Sequence, residues 1–142
     1  IDYVITYFYN VYGPREIQIG KYATLIALFK EKMKNNEPLT IVSPGSQKRN
    51  FTHIDDIING LILVGENGSG DEFGIGSKEA YSIKEIAEMF GGDIEMLPER
   101  KGNRMTADVV SAKMEALGWK STKKIKDYIE ECRTNSWEDK ND

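Results

Sequence analysis

The sequence has almost none of the residues from which self-contained metal or disulfide chemistry is built. One cysteine, Cys132, and one histidine, His53, stand among 142 residues, so no internal disulfide closes and no Cys/His zinc site can be assembled. The longest apolar run, Ile57 to Val64, is broken by Asn59 and Gly60 and falls far short of the ~20 residues a bilayer demands. No membrane span is expected. Positive charge is also in short supply, because 19 Lys and Arg against 23 Asp and Glu leave a net charge of -4, which gives no overall basic field for nucleic acid. A local anion site stays open, and the cysteine usage favours the reducing cytoplasm. What is present is 39% hydrophobic and 30% charged residues, the balance of one ordinary globular domain.

Ile1 to Tyr12 opens on β-branched and aromatic residues, Val4 to Tyr9, and reads as a strand buried on both faces. Such a strand needs neighbours on either side, and few other segments here can supply them, so the stretch is expected to be a fragment of something longer. The opening stretch is not expected to be a signal peptide. Gly13-Pro14 ends the strand, and Tyr22 to Met33 carries Leu25, Leu28, Phe29 and Met33 at helical spacing. Leu39 to Val42 reads as a short strand and Ser43 to Ser46 as a loop. Ile54 to Val64 reads as a mostly buried helix whose first turn holds Asp55 and Asp56. Glu72 to Ile75 and Ile94 to Leu97 read as strands. Between them Ser82-x-x-Glu85 has capping-box spacing and opens a helix that ends at Gly91-Gly92. Asp108 is expected to cap a helix running to Leu117, and Ser121 or Thr122 to cap a last helix with the stripe Ile125, Tyr128, Ile129 and Cys132. The tail from Glu138 is expected to fray.

Arginine usage is the sharpest functional signal in the composition. There are five arginines against fourteen lysines, and Arg15, Arg49, Arg100 and Arg104 fall in loops or at element edges beside Gly, Pro, Ser or Asn. The guanidinium presents a planar fork that grips phosphate or carboxylate through two bonds, whereas Lys is a hydrated point charge. An acidic chain with loop-borne arginines points to a compact anionic ligand; the competing reading is a set of scattered surface salt bridges. The lysines, mostly on expected helices, are explained by solvated faces.

Asn10-Val11-Tyr12-Gly13-Pro14-Arg15, Arg49-Asn50-Phe51-Thr52-His53-Ile54-Asp55-Asp56, Phe73-Gly74-Ile75-Gly76-Ser77, Pro98-Glu99-Arg100-Lys101-Gly102 and Leu117-Gly118-Trp119 occur in this order across nearly the whole chain. Together they resemble the C-terminal half of NAD-dependent nucleotide-sugar epimerases and dehydratases of the extended short-chain dehydrogenase/reductase superfamily. The resemblance implies an α/β fold: the C-terminal substrate-binding part of an extended Rossmann-type enzyme, residues 1–142, holding one or more strands of an incomplete parallel sheet. It implies NAD as cofactor, bound mainly by an N-terminal domain outside this stretch, a UDP- or dTDP-sugar as partner, and a homodimeric parent acting through a transient keto sugar. That family's Gly-rich pyrophosphate turn and Tyr-x-x-x-Lys pair are not found here, since no tyrosine is followed four positions on by lysine. No catalytic residue and no metal ligand is therefore assigned within the chain, which is expected to be inactive alone.

Carried over position by position, the resemblance places Phe8 and Tyr9 beside the nicotinamide and Asn10 against the sugar diphosphate. Core packing competes for the two aromatics, and a local turn bond competes for Asn10. Thr24 and Leu25 fall where a helix meets the substrate, Thr40 and Val42 border the nucleobase, and Arg49, Arg100 and Arg104 bind the diphosphate. For Arg49 the competing reading is a salt bridge to Asp55 or Asp56, and those two carboxylates are expected to favour the helix start or orient Arg49. His53 is read as structural. Tyr7 stands where many relatives have arginine, Asn50 and Asn103 where they have aspartate, and Gly74 where they have asparagine, which leaves the sugar nucleotide unassigned. A non-catalytic binding or interaction module of the same fold is the alternative.

Overall fold

The structure, a computed structural model, describes residues 1–102 and 108–139. Among the described residues, two hydrophobic clusters and four two-stranded ladders organise it.

The first cluster gathers α1 (Leu25–Lys34), β3 (Leu39–Val42), α3 (Ile83–Phe90) and α5 (Ile125–Thr134) around Ile26, Phe29, Leu39, Ile41, Ile86, Phe90 and Ile129. β3 runs parallel to β8 (Ile94–Leu97), with Val42 opposite Leu97. Side chains alternate across a strand, so Leu39 and Ile41 enter the core while Thr40 and Val42 stay half-buried on the other face. The expected capping box at α3 forms in full: Ser82 Oγ accepts from Glu85 N at 3.1 Å, and the Glu85 carboxylate accepts from Ser82 N at 2.7 Å. That helix stops at Gly91, whose φ of 75° lies in the left-handed region that glycine enters without a Cβ penalty.

The second cluster lies where α2 (Ile54–Asn67) and α4 (Ala112–Ala116) pack on β6 (Gly70–Ile75) through Ile57, Val64, Phe73, Ile75, Met114 and Trp119. β6 runs parallel to β1 (Val4–Phe8), with Phe8 opposite Ile75. Short pieces join the two halves. β2 (Val11–Tyr12) is parallel to β5 (Thr52–His53), and β4 (Lys48–Asn50) is antiparallel to β7 (Ala80–Ser82), placing Arg49 opposite Tyr81.

Several expectations need correction. β1 is not buried on both faces: Ile5, Tyr7 and Phe8 are 42%, 44% and 49% exposed, because the strand meets the second cluster through Val4 while Ile5 and Tyr7, one position out of phase, point the other way. α2 is likewise bare along Ile58, Leu61 and Ile62. Asp108 caps no helix; α4 starts after Ser111, whose hydroxyl donates to Glu115 Oε1 at 2.7 Å. Neither Ser121 nor Thr122 caps α5, which starts after Lys124, because the Thr122 hydroxyl is given to Asp56. Not every lysine is solvated. Lys30 is 1% exposed, donates to Tyr128 Oη at 3.2 Å and forms an ion pair with Asp139. Asp139 also accepts from Arg15 N at 2.8 Å, so the tail is held at least that far.

Candidate functional site

At the carboxyl end of β1 the chain turns out of its ladder through Asn10, whose φ of 38° is positive, as asparagine tolerates better than most residues. The Asn10 side chain makes no local turn bond; its Nδ2 donates across the fold to the Asn50 main-chain oxygen at 3.0 Å. Asn50 ends β4, so Asn10 is tied to the strand that carries Arg49. Half-buried Arg49 donates from Nη1 to the Lys48 carbonyl at 2.8 Å. Near this junction a cavity of about 360 Å³ is lined by Lys48, Asn50, Lys78, Asp108 and Ser111 among others, but not by Arg49 or Asn10. Lys78 is balanced by Glu115 at 2.8 Å.

The carboxylates of α2 do not serve Arg49. Among the described residues Asp55 and Asp56 make no ion pair with it. Asp56 is 1% exposed and accepts from Thr122 N, Thr122 Oγ1 and Lys123 N at 3.0, 2.7 and 2.9 Å. Asp55 lies 3.5 Å from His53 Nδ1 and 3.9 Å from Lys123 Nζ. His53 is structural, as expected: Nδ1 accepts from Asp55 N at 3.1 Å as the α2 cap, and the ring meets Tyr12 and Tyr128 edge-on. Its burial lowers the imidazole pKa.

The aromatic pair at the end of β1 divides. Phe8 stands half in the open rather than in the core. Tyr9 is engaged within the chain: its hydroxyl accepts from Val110 N at 3.0 Å, and a Cβ at Gly76 would lie 2.6 Å from its ring. Val110 also accepts from Gly74 N at 2.9 Å, and a Cβ on Gly74 would sit 2.0 Å from that carbonyl oxygen. Glycine at position 74 is thus required by the approach of the 109–110 segment.

The other sequence-identified residues form separate groups. Thr40 and Val42 share the face of β3 turned away from the core, and Arg100 is exposed three positions beyond Leu97, whose carbonyl accepts from Ser43 N at 2.9 Å. Thr24 caps α1, accepting from Ala27 N at 3.2 Å, and its hydroxyl donates to Glu16 Oε1 at 2.7 Å. Burial raises the Glu16 pKa. Leu25 packs against the first core. Arg104 and Asn103 lie outside the described residues. A second cavity, about 290 Å³, lined by Trp119, Lys120, Ser121 and Lys124 among others, holds none of the residues assigned from sequence to the cofactor or the substrate. Lys48 was not singled out from sequence. Its signal was its place beside Arg49, and reading it needed the three-residue strand β4, too short to show a period.

The sequence model of the NAD dependent epimerase/dehydratase family matches residues 1–76. A putative UDP-glucose 4-epimerase of Methanocaldococcus jannaschii is 28% identical over 96% of this chain and 46% of its own length. A UDP-glucuronic acid decarboxylase of Arabidopsis thaliana is 29% identical over 91% of this chain and 39% of its own. Among solved structures, UDP-glucose 4-epimerase from Thermotoga maritima with UDP-glucose superposes with a TM-score of 0.82 at 27% identity, covering 95% of this chain and 47% of that one. The dTDP-glucose 4,6-dehydratase DesIV of Streptomyces venezuelae, with NAD bound, gives 0.76 at 25% identity, covering 93% and 41%. The chain thus spans less than half the length of these relatives. With more than half of its residues matched by the family's sequence model, and with the fold of that family's solved members, the chain belongs to the NAD dependent epimerase/dehydratase family.

Proposed function

We propose that this chain is the nucleotide-sugar-binding part of an NAD-dependent sugar-nucleotide epimerase or dehydratase, with UDP-glucose 4-epimerase-like chemistry in the complete protein. The observation that carries the reading is the direct bond from Asn10, at the carboxyl end of β1, to the strand bearing Arg49. Ligands of open α/β sheets sit at the carboxyl ends of strands, and a guanidinium fork suits a diphosphate. Arg49 is assigned to grip one phosphate group and Asn10 to donate alongside it. Thr40 and Val42, on the outward face of β3, border the nucleobase. Arg100, exposed after β8, and Arg104 are assigned to the diphosphate as well. Thr24 and Leu25 contribute through the start of α1.

The residues present fit NAD only at its edge. Phe8 offers an exposed ring to a nicotinamide, while Tyr9 is occupied by the 109–110 segment. No pyrophosphate turn is supplied, so no step of hydride transfer is assigned to these residues; when bound, NAD supplies that chemistry. We assign the pyrophosphate turn and the Tyr-x-x-x-Lys base to an N-terminal domain that covers the open edge of β1 and the bare face of α2. The complete protein is proposed to be a cytoplasmic homodimer.

Calorimetric titration of the complete protein with UDP-glucose and dTDP-glucose tests the reading. Saturable binding of one of them is expected, weakened about tenfold or more in Arg49→Ala, on the scale of one lost charge-assisted contact. Failure to bind either sugar nucleotide overturns it.

A further inference from the structure

We infer that Asn50 and Thr52 are positioning residues that hold the Arg49 strand against the carboxyl ends of β1 and β6 through a closed circuit of hydrogen bonds. What Arg49 grips rests on the nucleotide-sugar reading above; the circuit rests on geometry alone. Asn10 Nδ2 donates to the Asn50 main-chain oxygen at 3.0 Å, and Asn50 Nδ2 donates to the Ser77 carbonyl at 2.9 Å. Ser77 N donates to Thr52 Oγ1 at 2.9 Å, and Thr52 N donates to the Asn10 carbonyl at 3.3 Å, which closes the ring. Three chain segments far apart in sequence, at residues 10, 50–52 and 77, are thereby fixed to one another.

Burial makes the circuit consequential. Thr52 is 0% and Ser77 is 5% exposed, so water is poorly placed to replace the Ser77 to Thr52 bond, and a buried donor without a partner is costly. Between the two positioning residues Phe51 is anchored in the first core. Arg49 immediately precedes Asn50, so the placement of its guanidinium follows the register that the circuit sets.

The chemistry at position 50 is directional. An amide has N–H to give the Ser77 carbonyl, whereas an ionised carboxylate has none and sets negative charge against the oxygen's lone pairs. Asparagine, standing where the resembled family has aspartate, is part of how this chain's site is wired. Thr52 is equally specific, because only its hydroxyl oxygen receives Ser77 N.

Two measurements on the complete protein test this. Amide hydrogen exchange reads the circuit without any ligand: Ser77 N–H is expected to be protected in wild type and to lose that protection in Thr52→Val, which keeps the side chain's shape but removes the acceptor. Titration with UDP reads its consequence. Thr52→Val is expected to weaken UDP binding about tenfold, while Thr52→Ser, which keeps the hydroxyl and loses the methyl group, stays within about twofold of wild type. Affinity then follows the hydroxyl rather than the melting temperature, which both changes lower. Asn50→Asp is expected to weaken UDP binding at neutral pH and to regain part of it on acidification, as the introduced carboxyl takes up the proton it needs to donate to the Ser77 carbonyl. Unchanged Ser77 protection in Thr52→Val overturns the circuit. Lost protection with wild-type UDP affinity overturns the positioning role. A wild type that protects Ser77 but does not bind UDP overturns the nucleotide reading, and with it the role given to Arg49, while leaving the circuit established.

Discussion

Replacing Asp56 by alanine is expected to destabilise the fold more than any other single carboxylate change on α2. The carboxylate lies in the first helical turn, is 1% exposed and receives three donors from Thr122 and Lys123. Its own main-chain oxygen receives Trp119 Nε1 at 3.0 Å, so one residue fastens the approach to α5 onto the start of α2. Bonds to a charged acceptor contribute ~1.5 to 3 kcal/mol each when fully buried. Thr122 and Lys123 are themselves exposed, so water can satisfy part of what is lost, and ~1 kcal/mol per bond, or ~3 kcal/mol in total, is the reasonable sum. With a urea dependence of ~2 kcal/mol per molar for a domain of this size, the midpoint should fall by ~1.5 M. Thr122→Val, which removes only the hydroxyl bond, should cost ~1 kcal/mol. Asp55→Ala is the control, since that carboxylate is 55% exposed and its pairings are of the surface kind, worth ~0.5 kcal/mol. Urea melts of the three variants decide the matter. Equal midpoints for Asp56→Ala and Asp55→Ala would refute the reasoning.

Arg49→Lys in the complete protein should weaken UDP binding by more than a loss of charge explains, because the charge stays and only the fork is lost. Arg133→Lys, whose guanidinium serves the Met89 and Phe90 carbonyls at the end of α3, should lower the melting temperature and leave UDP affinity unchanged in the same titration. The lowered pKa of His53 means that the folded state takes up its proton less readily than the unfolded chain. The associated stability is therefore present above the ordinary histidine value of 6.5 and is lost as pH falls below it. Glu16, raised by burial, acts in the opposite direction, so the check is the difference in urea stability between wild type and His53→Asn from pH 7 to 5, which should shrink as the wild type loses this contribution. Gly74→Ala should expel the 109–110 segment, since its Cβ would meet the Val110 oxygen at 2.0 Å; unaltered protection of the Gly74 amide in hydrogen exchange would contradict this. The 142-residue chain alone should associate through the open edge of β1 and its exposed Ile5 and Tyr7, and a clean monomer in sedimentation would count against that.

What sequence could and could not reveal follows from how far each interaction reaches along the chain. The α3 capping box was legible because Ser82 and Glu85 lie within one turn and satisfy each other's backbone. β3 and the α5 stripe were legible because a period of 2 or 3.6 survives in four to ten residues. β2, β4, β5 and β7 span two or three residues each, too few for a period to appear, and their partners lie tens of positions away. The misread cap of α5 has a distant cause. Thr122 had the right chemistry to cap α5, but Asp56, 66 residues earlier, offered its hydroxyl a buried charged acceptor, and a local propensity worth ~1 kcal/mol gives way to such a partner. Lys30 escaped notice for the same reason, since its partners Tyr128 and Asp139 lie at the far end of the chain. At the candidate site, residue types could be proposed from the sequence and the wiring between them could not. The motif that placed Arg49 also passed over Asn50 as a mere departure from pattern, although its amide is the group that ties β4 to Ser77. A difference from a family's consensus therefore has a physical meaning only once the atom facing it is known, and at position 50 that atom is a carbonyl oxygen that accepts a hydrogen bond.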